Sequence, residues 1–342
     1  MTLPCRRQFN HHERSSRPMK PTSNFQEPQI TDSPFRARCV ASLFRVIGRI
    51  YPFGNNRYCA YILSRFGAQV AGAALCTLQL PGGGKFSFPL NDKYWIKLLM
   101  PAFRYEPEVD FLIGYVAEQF RGSLLIDCGA NFGYWVSRSK AYLGLQVVAI
   151  EPSPTALKYL RFNIAANQEH ATLYERAVWK ANDEELQFAS SCKIHAGSAL
   201  ASVARHNTDE GDWSMTSVKT VSIDAIVNRH RLPSHEIVII KLDVEGAEVD
   251  AIEGGLETLR KGEAVLIYED HADDSHHEIT KYLMDCGMLV FSFRESRLAR
   301  INSLDQMTTL KSHSGTHYNF NNFAACLPGS KSEAVLHGAM AK

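Results

Sequence analysis

A chain of 342 residues with 45% hydrophobic content can build a sizeable core, which excludes disorder throughout and suits one large domain or a domain with an extension. Lys and Arg number 37 against 36 Asp and Glu, so no global charge draws the molecule to a polyanion such as nucleic acid. The eight cysteines are scattered without a C-x-x-C pair and read as reduced thiols, and no apolar run reaches the ~20 residues of a membrane crossing, so a soluble cytoplasmic protein is the expectation.

Residues 1–34 are rich in Arg, Pro, Ser and Asn and poor in aliphatics, which predicts a disordered basic tail. From Arg38 to Tyr51, Val40, Leu43, Phe44, Ile47 and Ile50 recur at helical spacing among Arg38, Arg45 and Arg49. Such an amphipathic helix packs on the rest of the protein or, in a second reading, makes peripheral contact with an anionic membrane. Residues 75–80 and 85–90 flank Pro81-Gly82-Gly83-Gly84 and predict a β-hairpin. Tyr105-Glu106-Pro107-Glu108 then opens a helix marked by Val109, Leu112, Ile113 and Val116.

Leu124, Leu125 and Ile126 form a short buried strand that ends on Asp127, and Gly129 and Gly133 punctuate the turn into a helix. The glycines are four apart, so the G-x-G-x-x-G of a dinucleotide site is missing. A second strand, 147–150, ends on Glu151, an acid able to accept hydrogen bonds from ribose hydroxyls; capping or solvation of Asp127 and Glu151 is the plainer alternative. Ser153-Pro154 opens a helix in which Asn163 and Asn167 share a face, with Asn167 read as an end cap. A third strand is expected over 172–178, and the polar stretch 189–217 reads as a substrate-holding segment.

Residues 220–223 read as a strand with Asp224 capping the next helix. The strand 237–242 places Asp243 at its carboxyl end, where open α/β sheets bind ligands. Val249, Ile252, Leu256 and Leu259 mark one helix. Strand 264–268 leads to Glu269, Asp270 and His271, and Ser275 with Glu278 reads as a capping box, so no metal is expected in this acidic and histidine-rich run. Strands at 288–293, 297–301 and 323–327 finish the sheet. The whole predicts a doubly wound α/β fold, mostly parallel and seven-stranded, with an N-terminal helical and hairpin extension and a flexible tail at 329–342.

Three segments occur in order: D-x-G-A-N-x-G at 127–133, the E-P pair at 151–152 and K-L-D-V-E-G-A-E at 241–248. Together with the Y-E-P-E segment they resemble the FkbM family of S-adenosylmethionine-dependent methyltransferases over about residues 75–328. The resemblance implies a class I, Rossmann-like methyltransferase domain at 121–328 behind a cap at 35–120. It further implies that Asp127, Gly129, Ala130, Asn131 and Gly133 hold the methionine part of S-adenosylmethionine, that Glu151 holds its ribose, and that Tyr105 and Glu106 lie beside it. O-methylation of a sugar, glycan or glycolipid hydroxyl is implied, with a secondary-metabolite hydroxyl as the alternative. A hydroxyl acceptor calls for a general base. The candidates are Asp243, favoured by motif order, His271, favoured by its unperturbed pKa, Glu269 and His195. Lys241 pairs with strand-end acids or lays its stem on the sheet with a solvated amine. A nucleotide-dependent oxidoreductase and a cofactor-binding module without catalysis are the rival readings.

Overall fold

The computed structural model describes residues 28–50, 62, 65–67, 69–101, 103–120, 122–167, 171–191, 198–200, 213–244, 246–270, 274–294, 297–313 and 322–340. Strands β1 (Gln29–Thr31), β2 (Leu75–Gln79) and β3 (Lys85–Pro89) form an antiparallel sheet in that order. β2 and β3 are the hairpin expected around the glycine triplet, with Gln79 opposite Lys85. β1 shortens the expected tail: Ile30 pairs with Leu78, and the Thr77 N–H donates to Ser33 Oγ at 2.9 Å, which fixes the segment after the strand. Residues 1–27 lie outside the described residues. The helix Phe35–Ile50 buries Ala37, Val40, Ala41, Phe44 and Gly48, a narrower face than expected, because Leu43 and Ile50 point outward.

The central sheet is built from β4 (Leu124–Cys128), β5 (Gln146–Ile150) and β6 (Ala171–Tyr174) on one side. A smaller sheet follows from β7 (Ala177–Val178), β8 (Glu185–Ser191), β9 (Ser198–Leu200) and β10 (Trp213–Val221). The chain then returns to the central sheet with β11 (Val238–Leu242), β12 (Ala264–Glu269), β13 (Leu289–Arg294), β14 (Arg297–Ile301) and β15 (Asn322–Cys326). The order is β14-β13-β15-β12-β11-β4-β5-β6. Neighbours from β12 to β6 are parallel, and β15 runs antiparallel to both β12 and β13. The sheet has eight strands where seven were expected, and the strand foreseen at 297–301 is β14, which pairs antiparallel with β13 as the outer edge.

Period-two alternation gives this sheet a core on each face. Leu125, Val147, Ile239 and Val265 join one cluster, shared with the N-terminal helix and hairpin. Leu124, Ile126, Val148, Ile240 and Leu266 join the other, shared with Ile223, Ile252 and Leu283 from helices. Strands buried on both faces read as continuous apolar runs, which is why this part of the sequence was transparent.

Other expectations need correction. The third strand divides: β6 closes the central sheet while β7 pairs with β10, and the Arg176 guanidinium donates to the Thr220 carbonyl at 2.9 Å where the chain leaves. The stretch 189–217 holds parts of β8, β9 and β10, with β8 and β10 paired from Ser191 opposite Trp213 onward; residues 192–197 and 201–212 lie outside the described residues. Ser222, not Asp224, caps the helix Ile223–His230. Asp224 instead accepts from the Glu257 and Thr258 N–H groups at the start of Leu256–Arg260. That helix is separate from Glu248–Glu253, since Gly254-Gly255 interrupts the expected single one. The supposed capping box is supplied by Asp274, whose carboxylate accepts from His276 and Glu278 N–H groups at 2.8 Å. Residues 331–340 are no flexible tail: the helix Lys331–Met340 buries Val335, Leu336 and Ala339 in the first core, a spacing that puts all three on one face.

Candidate active site

The strand order reverses between β4 and β11, so the loops that leave their carboxyl ends diverge and open a crevice there. In that register Asp127 lies beside Lys241 and Ala149, and Cys128 beside Leu242 and Ile150. Asp127 is fully buried, and neither of its carboxylate oxygens has a hydrogen-bond partner among the described residues. Burial pushes it up to about 6. Gly129 follows at φ 81°, and a Cβ there would stand 1.8 Å from the Asp243 carbonyl oxygen. Only glycine lets this turn lie against the end of β11.

The turn after β4 is fixed from the β5 side. Gly129 and Ala130 N–H groups both donate to the Ile150 carbonyl at 3.0 Å. The Asn131 N–H donates to Glu151 Oε2 at 2.8 Å, and the Ser153 N–H donates to Glu151 Oε1 at 2.8 Å. One carboxylate therefore ties two loops together while each oxygen keeps a lone pair for a further donor. Burial pushes Glu151 up to about 7. Asn131 takes the left-handed conformation at φ 50°, and its Oδ1 accepts from the Phe132 N–H at 2.8 Å and from Trp95 Nε1 at 3.4 Å. Gly133, also left-handed, ends the turn at the helix Tyr134–Arg138.

Glu106 enters the crevice from the segment before the helix Pro107–Gln119, in the left-handed region at φ 38°. Its Oε2 is buried without a hydrogen bond and lies 3.9 Å from Lys241 Nζ. Burial, opposed by Lys241 and reinforced by Asp243 and Glu269, pushes Glu106 up to about 8. Lys241 Nζ also lies 3.2 Å from Asp243 Oδ2. Burial alone would lower the lysine, but Asp243, Glu106 and Asp127 together hold it well above its ordinary value, so it is an ammonium among carboxylates. The open reading of Lys241 thus resolves to pairing, with the amine buried. Tyr94 donates its hydroxyl to Tyr105 at 3.3 Å, and burial, then Glu106, pushes both phenols far up. Tyr94, Trp95, Tyr105 and Tyr134 form an aromatic wall, with Trp95 and Tyr134 stacked at 5.8 Å.

The crevice brings together Asp127, Gly129, Ala130, Asn131, Gly133, Glu151, Glu106, Tyr105 and Asp243, and Glu269 at the end of β12 contributes to the same field. His271 and His195 lie outside the described residues. Sequence reasoning missed Tyr94 and Trp95, which sit in a short 3-10 turn with no periodic signal. Asn167 is the expected end cap of the helix Pro154–Ala166, its Nδ2 donating to the Asn163 carbonyl at 2.7 Å, and what the sequence did not disclose is that Asn163 and Asn167 also clamp β3. Asn163 accepts from the Ser87 N–H and donates to the carbonyls of Ser87 and Phe132; Asn167 exchanges both bonds with the Lys85 backbone. The one signal was their spacing of four, matched to residues two apart on a strand. Cys128 is a buried filler, its thiol pushed far up by burial.

An open sheet with this switch point, this order and an antiparallel β15 inserted beside β12 is the architecture of class I, Rossmann-like methyltransferases. Residues 127–290 match the family model of the methyltransferase FkbM domain, and this part of the chain belongs to that family, whose methyl donor is S-adenosylmethionine. A comparison with curated proteins gives no match. Among solved structures, the FkbM methyltransferase from Methylobacillus flagellatus KT is 15% identical with a TM-score of 0.35, over 60% of this chain and 43% of that one. This chain therefore spans less than half of that protein. An O-methyltransferase from Thermotoga maritima is 14% identical with a TM-score of 0.35, over 73% of this chain and 77% of that one. One from Bacillus cereus, in complex with SAH, is 11% identical with a TM-score of 0.34, over 65% and 80%. At those scores the class is carried by the sheet order and the family match.

Proposed function

We propose that this protein is an S-adenosylmethionine-dependent O-methyltransferase acting on a hydroxyl of a sugar, glycan or glycolipid. The observation that carries the cofactor assignment is Asp127, a buried carboxylate with no hydrogen-bond donor among the described residues, beside a glycine turn that a Cβ would fill. Its complement is a cationic donor, and the methionine ammonium of the cofactor has that chemistry. Glu151, with a spare lone pair on each oxygen, suits a ribose diol, and the wall of Tyr94, Trp95, Tyr105 and Tyr134 limits water beside it.

S-adenosylmethionine supplies an electrophilic methyl on a sulfonium sulfur. The chain must then orient a hydroxyl and take its proton as the oxygen becomes a nucleophile. Asp243 is the base in this reading, just past the end of β11, its side chain 22% exposed and held by Lys241 at 3.2 Å. Glu269, on the neighbouring strand, and His271, two residues beyond it, are the alternates. Lys241 fixes Asp243 and favours the ionised forms of Glu106 and Asp127 against their burial. The buried free thiols of Cys76, Cys128 and Cys326 support a reducing compartment, the cytoplasm.

Transfer of labelled methyl to panels of sugar, glycolipid and secondary-metabolite hydroxyls tests this. Label is expected on sugar hydroxyls, and label on secondary-metabolite hydroxyls alone would overturn the acceptor class. Asp243→Asn should lower turnover about 100-fold or more with cofactor affinity within a few fold; unchanged turnover would remove Asp243 as the base.

A further inference from the structure

The overall charge balance conceals a local asymmetry. From Ser33 to Asn91 the chain has no Asp or Glu, yet it has six arginines and Lys85. Lys85 is paired with Asp32, outside the acid-free stretch. In the helix Phe35–Ile50, Ala37, Val40, Ala41, Phe44 and Gly48 face inward. The opposite side carries Phe35 at 73% exposure, Leu43 at 43%, Val46 at 51% and Ile50 at 65%. At 100° per residue these four fall within one quadrant of the helix, with Arg36 on one flank and Arg38 and Arg49 on the other.

A second exposed apolar segment adjoins the helix on the side of its buried Phe44. Ile62, Phe66 and Val70 recur four apart and are exposed, with Arg65 exposed among them. Phe66 sits against Phe44 at a ring distance of 6.1 Å, so the two segments adjoin. Of eleven large hydrophobic side chains exposed among the described residues, seven lie between 35 and 70. No helix among the described residues is long and apolar enough to cross a membrane.

We propose that this face lies on the surface of an anionic lipid bilayer, with the stripe of Phe35, Leu43, Val46 and Ile50 entering the boundary between headgroups and acyl chains and Arg36 and Arg38 contacting lipid phosphates. An apolar stripe flanked by arginines on a helix too short to span is the form of an interfacial element. An acid-free stretch of arginines complements a negative leaflet within a Debye length of its surface. A nucleic acid would leave the apolar stripe uncovered, and an acidic protein groove would have no need of arginines on both flanks. The inner side of the same helix packs on β2 and on the turn Trp95–Leu99, whose Trp95 lines the crevice. Docking would therefore bring the crevice close to the bilayer, where a lipid-linked acceptor would be presented. The surface itself stands apart from the methyltransferase reading and is tested by binding alone.

The experiment is flotation of the full chain with phosphatidylcholine vesicles, with and without phosphatidylglycerol, at low and high salt. Binding is expected to the anionic vesicles and to weaken as salt rises. Neutralising Arg36→Gln or Arg38→Gln should lower the partition coefficient about fivefold each, and roughly 25-fold together. Val46→Asp with Ile50→Asp should abolish binding. All four side chains are exposed, so thermal stability should stay at the wild-type value and serves as the control for folding. Equal partition onto neutral and anionic vesicles, no partition at low salt, or partition untouched by the aspartates would overturn the proposal. Self-association through this face without vesicle binding, lost in the aspartate variant, would assign it to a second copy and overturn it equally.

Discussion

Asp127→Asn separates the cost of the crevice from its use. In the folded protein burial, opposed by Lys241, raises Asp127 from 3.8 to about 6, and its carboxylate accepts no hydrogen bond among the described residues. That rise corresponds to about 3 kcal/mol at pH above 6, with each pKa unit near 1.4 kcal/mol. The sign follows from proton binding: between pH 3.8 and 6 the folded protein keeps a proton the unfolded chain has released. This contribution to stability is complete below 3.8 and lost as pH rises through 6. Asparagine removes the charge and the slope, while the cost of burying its amide does not vary with pH. The stability difference between variant and wild type should therefore grow in favour of the variant by about 2 kcal/mol from pH 4.5 to pH 7. Urea denaturation without cofactor at the two pH values measures it. A difference that stays constant within about 0.5 kcal/mol would refute the reasoning.

Three further outcomes follow from the geometry. Gly129→Ala places a Cβ against the Asp243 carbonyl in a left-handed turn, and should destabilise by about 3 kcal/mol or more in chemical denaturation. Asn163→Ala leaves a buried N–H and two carbonyls without partners, so it should cost about 3 kcal/mol and speed hydrogen exchange at the Ser87 amide. Leu336→Ala should cost about 3 kcal/mol because the C-terminal helix is core; a neutral result would return it to the status of a tail.

What the sequence disclosed follows from where side chains sit. β4, β5, β11 and β12 are buried on both faces, so their aliphatic runs named the strands and their ends named Asp127, Glu151, Asp243 and Glu269. Glycines forced into positive φ by close backbone approach marked the turn. Capping was harder to read, since Ser222, Asp224 and Asp274 each serve a partner that only the folded chain chooses. The clamp of Asn163 and Asn167 on β3 joins residues 76 and 82 positions apart, beyond any local pattern. Tyr94 and Trp95 reach the crevice from a turn whose sequence has no period. The C-terminal helix looked like a tail because its three buried apolar residues, Val335, Leu336 and Ala339, follow a polar start at Lys331-Ser332-Glu333 and are interrupted by His337-Gly338.

The central claim is that the crevice at the end of β4 binds S-adenosylmethionine through Asp127 and Glu151. Calorimetric titration of the full chain with S-adenosylmethionine, S-adenosylhomocysteine and NAD tests it most directly. Both sulfur compounds should bind at one site per chain, NAD should not, and Asp127→Asn should weaken S-adenosylmethionine roughly 100-fold. Binding of NAD alone, or of neither sulfur compound, would contradict the account.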